Sequence, residues 1–277
     1  MQPAPRPAAG HPGPASALPR FLGVVHLRSL PGAPGFDGDL AAVLEAARRD
    51  AAALAEGGAG GVVVENFGDL PFRPGAVDPE TVAAMALAVD RVRAEVGELP
   101  VGVNVLRNDA RAALGLCAAT GASFLRVNVH TGGAHTDQGP VVGRADETLR
   151  ERARLFPSDP PALLADVHVK HAAPMADLPI SVAARDTLHR GLADALIVSG
   201  SGTGAAVDPA DLSAVAAAAE GAPVYLGSGF TPERADELLH PTRGAFGAIV
   251  GTWLKQGGAL TAPVDPERVR RVAACFG

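Results

Sequence analysis

Three ionisable side chains alternate along one short apolar run near the middle of the chain. Within Ala165–His171, the residues Asp166, His168 and Lys170 are separated by single valines. Because successive side chains of a β-strand point to opposite faces, these three would share one face. Burying them against helices would be unfavourable, so we expect them to line a site; the alternative is a solvated edge strand.

These residue types suit proton transfer, and we predict that all three are catalytic. Asp166 and His168 would share a proton as a general acid/base pair, since histidine titrates near neutrality. Lys170 beside an aspartate would act as an electrostatic clamp, whereas desolvation near a cation such as Arg126 would make it a base or an amine nucleophile. Lys170 is one of only two lysines in a chain that otherwise carries its positive charge on arginine, which indicates a need for an amine.

A divalent metal ion is the competing use of the same side chains. Asp166 and His168, with Glu65 or His26 opposite, would offer oxygen and nitrogen ligands. The two cysteines of the chain fit no metal-binding spacing, and no nicotinamide or flavin fingerprint is present. The sequence therefore predicts no required cofactor, with a metal ion as the less favoured alternative.

The composition excludes several classes of protein. Apolar residues make up 47% of the 277, charged residues make up 19%, and the formal net charge is −6. This excludes a disordered chain and gives no general attraction for nucleic acid or an anionic membrane. No run of about 18 apolar residues occurs, so we expect no membrane insertion. Two cysteines far apart in the sequence fit a cytoplasmic protein.

The order of the elements predicts an α/β protein with one (β/α)8 TIM barrel at residues 20–277. Residues 1–19 are rich in proline and alanine, and we expect a disordered, flexible leader there. Eight β-branched runs alternate with amphipathic segments, which favours parallel strands closed into a barrel over an open doubly wound sheet. Barrels of this kind often associate, so a homo-oligomer is expected. The strands are expected at Phe21–Leu27, Gly61–Phe67, Val101–Arg107, Phe124–His130, Leu163–His171, Ala195–Gly200, Pro223–Gly229 and Gly247–Trp253, with helices near 39–56, 78–96, 109–120, 145–155, 180–190, 209–219, 232–240 and 266–275.

The apolar register of the strands predicts which polar side chains face the barrel interior. On the third strand, valines mark the helix-facing side, which turns Asn104 and Asn108 inward. On the fourth strand, the same argument turns Arg126, Asn128 and His130 inward. Neighbouring strands thus send amides and charges toward one volume, where apolar packing is the rule.

The first two strands also end in polar residues. His26 ends the first strand, and Glu65 and Asn66 end the second, where both registers are apolar and the sequence does not decide which one points inward. We expect Glu65 to join the catalytic group. The residues predicted to bind the substrate are His26, Asn66, Asn104, Arg126, Asn128 and, in a long loop, Asp137.

Glycine-rich turns follow the last three strands. Glycine lets the backbone approach a ligand closely, and the loops after the seventh and eighth strands are the usual phosphate site of such barrels. Tight turns alone would also explain each triplet. The predicted phosphate-binding residues are Ser199, Gly200, Gly202, Thr203, Gly227, Ser228, Gly229, Gly251 and Thr252.

Two connections are longer than a barrel needs. Arg28–Asp39 follows the first strand and Thr131–Arg144 follows the fourth. Both lie at the carboxyl ends of strands, where barrels place their sites, so both are candidate lids. The alternative is a pair of variable surface loops.

Several long runs also resemble a known family. They are Gly23–Arg28, Leu30–Gly32, Val64–Asp69, Pro100–Asp109, Thr136–Gly139, Ala165–His171 and Gly227–Gly229. From about residue 21 to the end, the chain resembles the BtpA family. The resemblance implies a ribulose-phosphate-binding-like barrel. It also implies kinship with a cyanobacterial protein tied to the biogenesis or stability of photosystem I, although the family extends to organisms that do not photosynthesise.

These observations predict an enzyme that acts on a small phosphorylated substrate, either a sugar phosphate or a nucleotide-derived metabolite. Lyase or isomerase chemistry by acid and base suits the groups present. Hydrolysis of a glycosidic or N-glycosidic bond, with Glu65 and Asp166 as paired carboxylates, stays open. So do a noncatalytic biogenesis or stability factor that binds a protein partner, and a protein that senses a phosphorylated ligand without converting it.

Overall fold

Eight parallel strands close into a barrel in the computed structural model, which describes residues 18–277. The barrel strands follow one another around the ring in chain order, and the last pairs with the first. The predicted (β/α)8 barrel is therefore confirmed. The strands in chain order are β1 (Phe21–His26), β2 (Gly61–Glu65), β3 (Val101–Asn104), β4 (Phe124–Val127), β5 (Gly133–Thr136), β6 (Gly139–Val142), β7 (Ala162–Val167), β8 (Ala172–Pro174), β9 (Ala195–Val198), β10 (Val224–Leu226) and β11 (Gly247–Val250).

The helices lie outside the ring, and several of them begin at recognisable capping signals. The carboxylates of Asp39, Asp208 and Asp265 each accept a backbone N–H of the helix that follows, as capping residues do. No helix among residues 18–277 is long and apolar enough to cross a membrane. The helices are α1 (Leu40–Glu56), α2 (Pro79–Val96), α3 (Ala110–Thr120), α4 (Ala145–Leu155), α5 (Ile180–Arg185), α6 (Pro209–Ala218), α7 (Ala235–Leu238) and α8 (Pro266–Ala273).

Two apolar layers hold the ring. The outer layer packs the helix-facing side chains of the strands, such as Val103 and Leu125, against the helices, as their register predicts. The inner layer fills the barrel and includes Phe124 and Tyr225. Gly102 makes room for the Phe124 ring, because a Cβ at that position would overlap it. The barrel interior is thus a packed floor beneath the strand ends.

The amino-terminal boundary of the fold lies slightly earlier than expected. Leu18 is buried in the inner layer, and the Tyr225 hydroxyl donates a hydrogen bond to the Pro19 carbonyl at 2.7 Å. Both residues therefore belong to the barrel floor rather than to a leader. The rest of the expected leader, residues 1–17, lies outside the described residues.

The two long connections have different structures. Thr131–Arg144 contains the β5–β6 hairpin, and β8 pairs with β5 to complete a small antiparallel sheet beside the barrel mouth. Arg28–Asp39 instead packs against the loop after β2, where the Leu30 N–H donates to the Asp69 carboxylate at 2.8 Å. The candidate lid after β4 therefore contains this small sheet, which we call the lid below.

The fifth barrel strand is shorter than the sequence predicts. β7 ends at Val167, and His168 has a φ of 54°, in the left-handed region. His171 has a φ of 55°. This turn ends the strict alternation after Asp166, so the expectation that Asp166, His168 and Lys170 share one strand face is wrong.

Candidate functional site

A row of polar side chains covers the apolar floor at the ends of the first three strands. His26, Glu65 and Asn104 are register partners across β1, β2 and β3. Glu65 lies two residues after Val63, a member of the inner layer, so it points into the barrel. Asn104 Nδ2 donates to Glu65 Oε1 at 3.1 Å. Of the two polar residues that end the second strand, Glu65 is therefore the inward one.

Three other polar side chains expected at the mouth stabilise loops instead. Asn66 bonds the N–H and the carbonyl of Leu106 through its two amide atoms. Asn108 does the same with Val129, at 2.8 Å for each bond. His130 contacts a backbone carbonyl at 2.7 Å and lines neither cavity of the mouth described below. Asn66, a predicted substrate-binding residue, is likewise absent from both linings.

Arg126 holds both buried carboxylates of the mouth. Its Nε and Nη2 donate to the two oxygens of Asp166 at 2.9 Å each, and its Nη1 donates to Glu65 Oε1 at 3.3 Å. Asn128 and Ser199 also donate to Asp166, at 2.9 and 3.3 Å. The three charged side chains are at most 4% exposed. Asp166 is thus surrounded by hydrogen-bond donors, and it anchors Arg126.

Lys170 is a charged group of the mouth that has no counter-ion in the described part of the chain. Among residues 18–277, its Nζ makes no ion pair within 4 Å, because the nearby carboxylates are bound by Arg126. Burial lowers the pKa of Lys170, and the positive charge of Arg126 lowers it further, against the opposing attraction of Glu65 and Asp166. The amine therefore loses its proton more readily than a lysine in water, as a base or nucleophile requires.

His26 and Glu65 lie side by side, and only Glu65 carries a charge at pH 7. Burial lowers the pKa of His26 to about 4, so the ring is neutral at pH 7. Burial alone would raise the pKa of Glu65, but the surrounding positive charges, Arg126 first, outweigh it and hold the pKa below its ordinary value. The His26 Nε2 atom lies 3.9 Å from Glu65 Oε2. Glu65 is therefore ionised, which suits a base or an electrostatic role and not a general acid.

His168 lies apart from the mouth. It lines a small cavity of about 50 Å³ beneath the lid, together with Asp166, but no hydrogen bond joins the two side chains in the described part of the chain. Burial lowers the pKa of His168. The structure does not form the expected acid/base pair, because the backbone turns left-handed at His168 and Asp166 is bound by Arg126.

The mouth of the barrel contains two cavities. We call the first the glycine-side cavity. It measures about 190 Å³ and lies over the ends of β10, β11 and β1. A Cβ on Gly251 would lie 2.6 Å from the His26 ring, so only glycine allows this close approach. Arg268 reaches it from α8. The predicted phosphate-binding residues in its lining are Thr203, Gly227, Ser228, Gly229, Gly251 and Thr252.

Three predicted phosphate-binding residues support these turns from behind. The Ser199 hydroxyl donates to the carboxylate of Asp166, on β7. The Gly200 N–H donates to Ser228 Oγ at 2.8 Å. Gly202 packs beneath His171, since a Cβ there would lie 3.2 Å from the imidazole. None of the three lines the glycine-side cavity.

The second opening, which we call the aromatic-side cavity, measures about 230 Å³. The rings of Phe67 and Phe72 form part of its wall, with their centroids 6.3 Å apart. Asn104 and Asn128 add amide groups. The two cavities meet at residues common to both linings, which are Glu65, Arg126, Lys170 and Thr203.

Arg107 fastens the lid beside the aromatic-side cavity. Its Nη1 donates to Asp137 at 2.7 Å and to Gln138 at 3.2 Å, at the turn of the β5–β6 hairpin. Its Nη2 donates to the backbone carbonyl of Lys170. Asp137, a predicted substrate-binding residue, thus lines the cavity as the partner of Arg107. One buried guanidinium links the lid to the segment that carries the unpaired amine.

The residues of the mouth do not gather as a metal site. Residues 18–277 contain no group of three or more histidines, cysteines, aspartates or glutamates that could hold a metal ion. Asp166 faces Arg126, and His168 faces the small cavity. The ligand set considered from the sequence does not converge.

The sequence profile of the BtpA family matches residues 19–276 of this chain. The chain belongs to the BtpA family. It is 47% identical over 248 residues to the photosystem I biogenesis protein BtpA of Synechocystis sp., covering 90% of this chain and 84% of that protein. An uncharacterized protein of Thermococcus kodakarensis is 47% identical over 252 residues, with 91% and 93% covered. A mitochondrial uncharacterized protein of Caenorhabditis elegans is 32% identical over 262 residues, with 92% of each covered.

Solved structures share the fold of this BtpA-family chain. A thiamine phosphate pyrophosphorylase from Pyrococcus furiosus superposes with a TM-score of 0.55 at 16% identity, covering 93% of this chain and 98% of the other. An orotidine 5'-phosphate decarboxylase from Pyrococcus horikoshii gives 0.56 at 14% identity, covering 92% and 99%. At such identities the likeness concerns the fold, and it confirms the barrel that the family resemblance implied.

Some mouth residues of this BtpA-family chain escape sequence reasoning. Phe67 and Arg107 are the last residues of two runs that the sequence predicts as strands. An aromatic ring or a cation at the carboxyl end of a strand was the sign that could have placed them at the mouth. Phe72 lies in a loop, and Arg268 comes from α8, far along the chain from the other mouth residues. His171 lies inside the quoted strand run, but only the turn at its own backbone brings it to Thr203, at 3.0 Å.

Replacing His26 with glutamine should reduce the pH dependence of stability. The ring is neutral in the folded chain and takes up a proton on unfolding between pH 6.5 and about 4, so it removes stability as the pH falls. Between pH 7 and pH 5 the free energy of unfolding should fall by roughly 2 kcal/mol through His26 alone. Urea unfolding of the natural protein and of His26→Gln at both pH values measures this difference.

The matched control is His240→Gln, because His240 is exposed on the surface. This variant should show the same dependence of unfolding free energy on pH as the natural protein. If His26→Gln loses as much stability as the natural protein between the two pH values, His26 is not the buried neutral ring described above.

Proposed function

We propose that this protein is an enzyme that acts on a small phosphorylated substrate by acid/base chemistry of the lyase or isomerase type. The observation that carries the proposal is the position of Lys170. Its unpaired amine lies where the glycine-side cavity meets the aromatic-side cavity. A substrate anchored in the first cavity would present its next atoms to this amine.

The glycine-side cavity suits a phosphate group. Its wall is largely backbone, including Gly227, Gly229 and Gly251, and glycine turns let backbone N–H groups approach an anion. Arg268 and Lys170 add positive charge on two sides. The similar structures named above carry phosphorylated compounds in their names, which agrees with this assignment.

Lys170 and Glu65 are the proposed catalytic groups. The lowered pKa of Lys170 suits proton removal, and its protonated form would stabilise negative charge that develops on the substrate. Glu65, ionised and common to both cavities, is the second base available. Asp166 positions Arg126, and Asn104 and Asn128 would orient the substrate.

The hydrolase alternative is less well supported. Paired-carboxylate hydrolysis needs one protonated and one ionised carboxyl group. Here Arg126 binds Glu65 and Asp166 together, and the pKa of Glu65 lies below its ordinary value. Neither carboxylate has the surroundings of a general acid.

A noncatalytic biogenesis factor is the second candidate. One observation favours it, namely the 47% identity to a protein named for photosystem I biogenesis. The same identity to an uncharacterized protein of Thermococcus kodakarensis, whose name carries no photosystem role, favours an activity shared beyond photosystem I. A cytoplasmic location and a homo-oligomer stay predictions.

Replacing Arg268 with alanine should weaken binding of a phosphate ester by roughly tenfold or more, because a charge-assisted hydrogen bond is lost. Arg271→Ala is the matched control. Both guanidinium groups lie over the Trp253 ring, at 4.2 and 5.0 Å, but only Arg268 lines the cavity. Calorimetric titration with ribose 5-phosphate measures both variants, and equal losses would contradict phosphate binding at this place.

Replacing Lys170 with methionine should abolish proton exchange on a phosphorylated sugar. In D₂O, the natural protein should exchange a carbon-bound proton of ribulose 5-phosphate or ribose 5-phosphate, followed by NMR, and Lys170→Met should be slower by about 100-fold or more. Lys255→Arg is the control for the other lysine.

The outcome that contradicts the enzyme proposal is equally concrete. If the natural protein exchanges no proton, and if Lys170→Met fully restores a phenotype of a deletion strain, the biogenesis factor becomes the better account.

A further inference from the structure

The aromatic-side cavity contains the two phenylalanines that have no place in the packed cores. The chain has nine phenylalanines, and in the described structure seven of them pack in the inner or outer apolar layer. Phe67 and Phe72 belong to neither layer, and both are partly exposed beside the mouth. Aromatic rings held next to a charged opening, outside any core, indicate a surface that a ligand covers.

The wall of this cavity combines apolar and polar side chains. Phe67, Phe72 and Leu106 contribute apolar surface. Asn104 and Asn128 contribute amide groups. Aromatic rings together with a few hydrogen-bonding groups suit a planar ring with polar edges better than a hydrocarbon chain.

Asn128 supplies the most specific sign of a ligand. The residue is 3% exposed, lines both the aromatic-side cavity and the small cavity beneath the lid, and donates from Nδ2 to Asp166. Its Oδ1 is buried and accepts no hydrogen bond from any described residue. A buried acceptor without a donor is unfavourable, so a ligand with an N–H group at its edge would complete it.

The charges around the cavity are already balanced. Arg107 pairs with Asp137, and Arg126 pairs with Glu65 and Asp166. Among the described lysines, arginines and carboxylates that line this cavity, Lys170, at the junction with the glycine-side cavity, is the one without an ion pair. The part of a ligand that lies in the aromatic-side cavity should therefore be uncharged. Its negative charge should lie beyond the Lys170 amine, in the glycine-side cavity.

We infer that the substrate is a nucleoside monophosphate or a close relative, with its planar base between Phe67, Phe72 and the two asparagine amides. This inference rests on the proposed phosphate site, and it adds the chemical class of the group at the other end. The two cavities together reach the roughly 300–1,000 Å³ typical of small-molecule sites. The sugar would then lie across Lys170, where the proposed chemistry takes place.

Calorimetric titration with five ligands tests the inference. Ribose 5-phosphate reports the phosphate and sugar alone, UMP and AMP add a base, and uridine and adenosine lack the phosphate. At least one nucleotide should bind roughly tenfold or more tightly than ribose 5-phosphate, as expected for a base stacked on aromatic side chains.

A double variant tests the location of the base. Phe67→Leu with Phe72→Leu keeps apolar volume but removes both flat faces, so it should abolish the preference for the nucleotide over ribose 5-phosphate. Because both rings are partly exposed, folding should be preserved, which a thermal unfolding curve checks. Leu87→Ala, an exposed position on α2, is the control and should retain the preference.

The outcomes separate the two proposals. Ribose 5-phosphate that binds as tightly as both nucleotides overturns the inference and leaves the phosphate site standing. Nucleosides that bind as tightly as nucleotides support the ring site and overturn the phosphate site. If no ligand binds, both proposals fail. If the double variant keeps the nucleotide preference, the base does not lie between these rings.

Discussion

The chemistry of this barrel depends on one buried arginine between two buried carboxylates. Arg126 places two donors on Asp166 and one on Glu65, and all three side chains are nearly inaccessible to water. Charges buried in this way are tolerated only when they are paired and hydrogen-bonded. The pairing uses both carboxylates, and in consequence the amine of Lys170 remains unpaired at the junction of two cavities.

Much of the fold and part of the site followed from strand alternation. The barrel has a simple rule, since valines and leucines face the helices and the residues between them face inward. That rule correctly placed Asn104, Arg126 and Asn128, because β3 and β4 are regular up to these positions or close to them. The small number of lysines was also informative. Of the two, Lys170 lies in the mouth, and Lys255 forms a buried ion pair with Asp50 at 2.5 Å. Each lysine thus has a specific structural setting.

The sequence misplaced side chains where their positions depend on an unusual backbone conformation or on contacts between distant parts of the chain. No local pattern announces the left-handed turn at His168, which ended the alternation and separated that ring from Asp166. Contacts between residues far apart in the chain are also hidden from the sequence. The α8 helix brings Arg268 to the glycine turns, and Arg107 bonds a hairpin inside the connection that the sequence marked as a candidate lid. The sequence therefore located the mouth of the barrel better than it identified all the residues that line it.

The pKa of the Lys170 amine tests the central claim most directly. With only two lysines in the chain, a protein labelled with ¹³C at the lysine ε-carbon gives two signals, and Lys170→Arg identifies the one that belongs to Lys170. The account predicts that this signal titrates below the ordinary lysine value of 10.5. Titration at or above that value would mean that a carboxylate pairs with the amine, and Arg126 would no longer be the group that leaves Lys170 free.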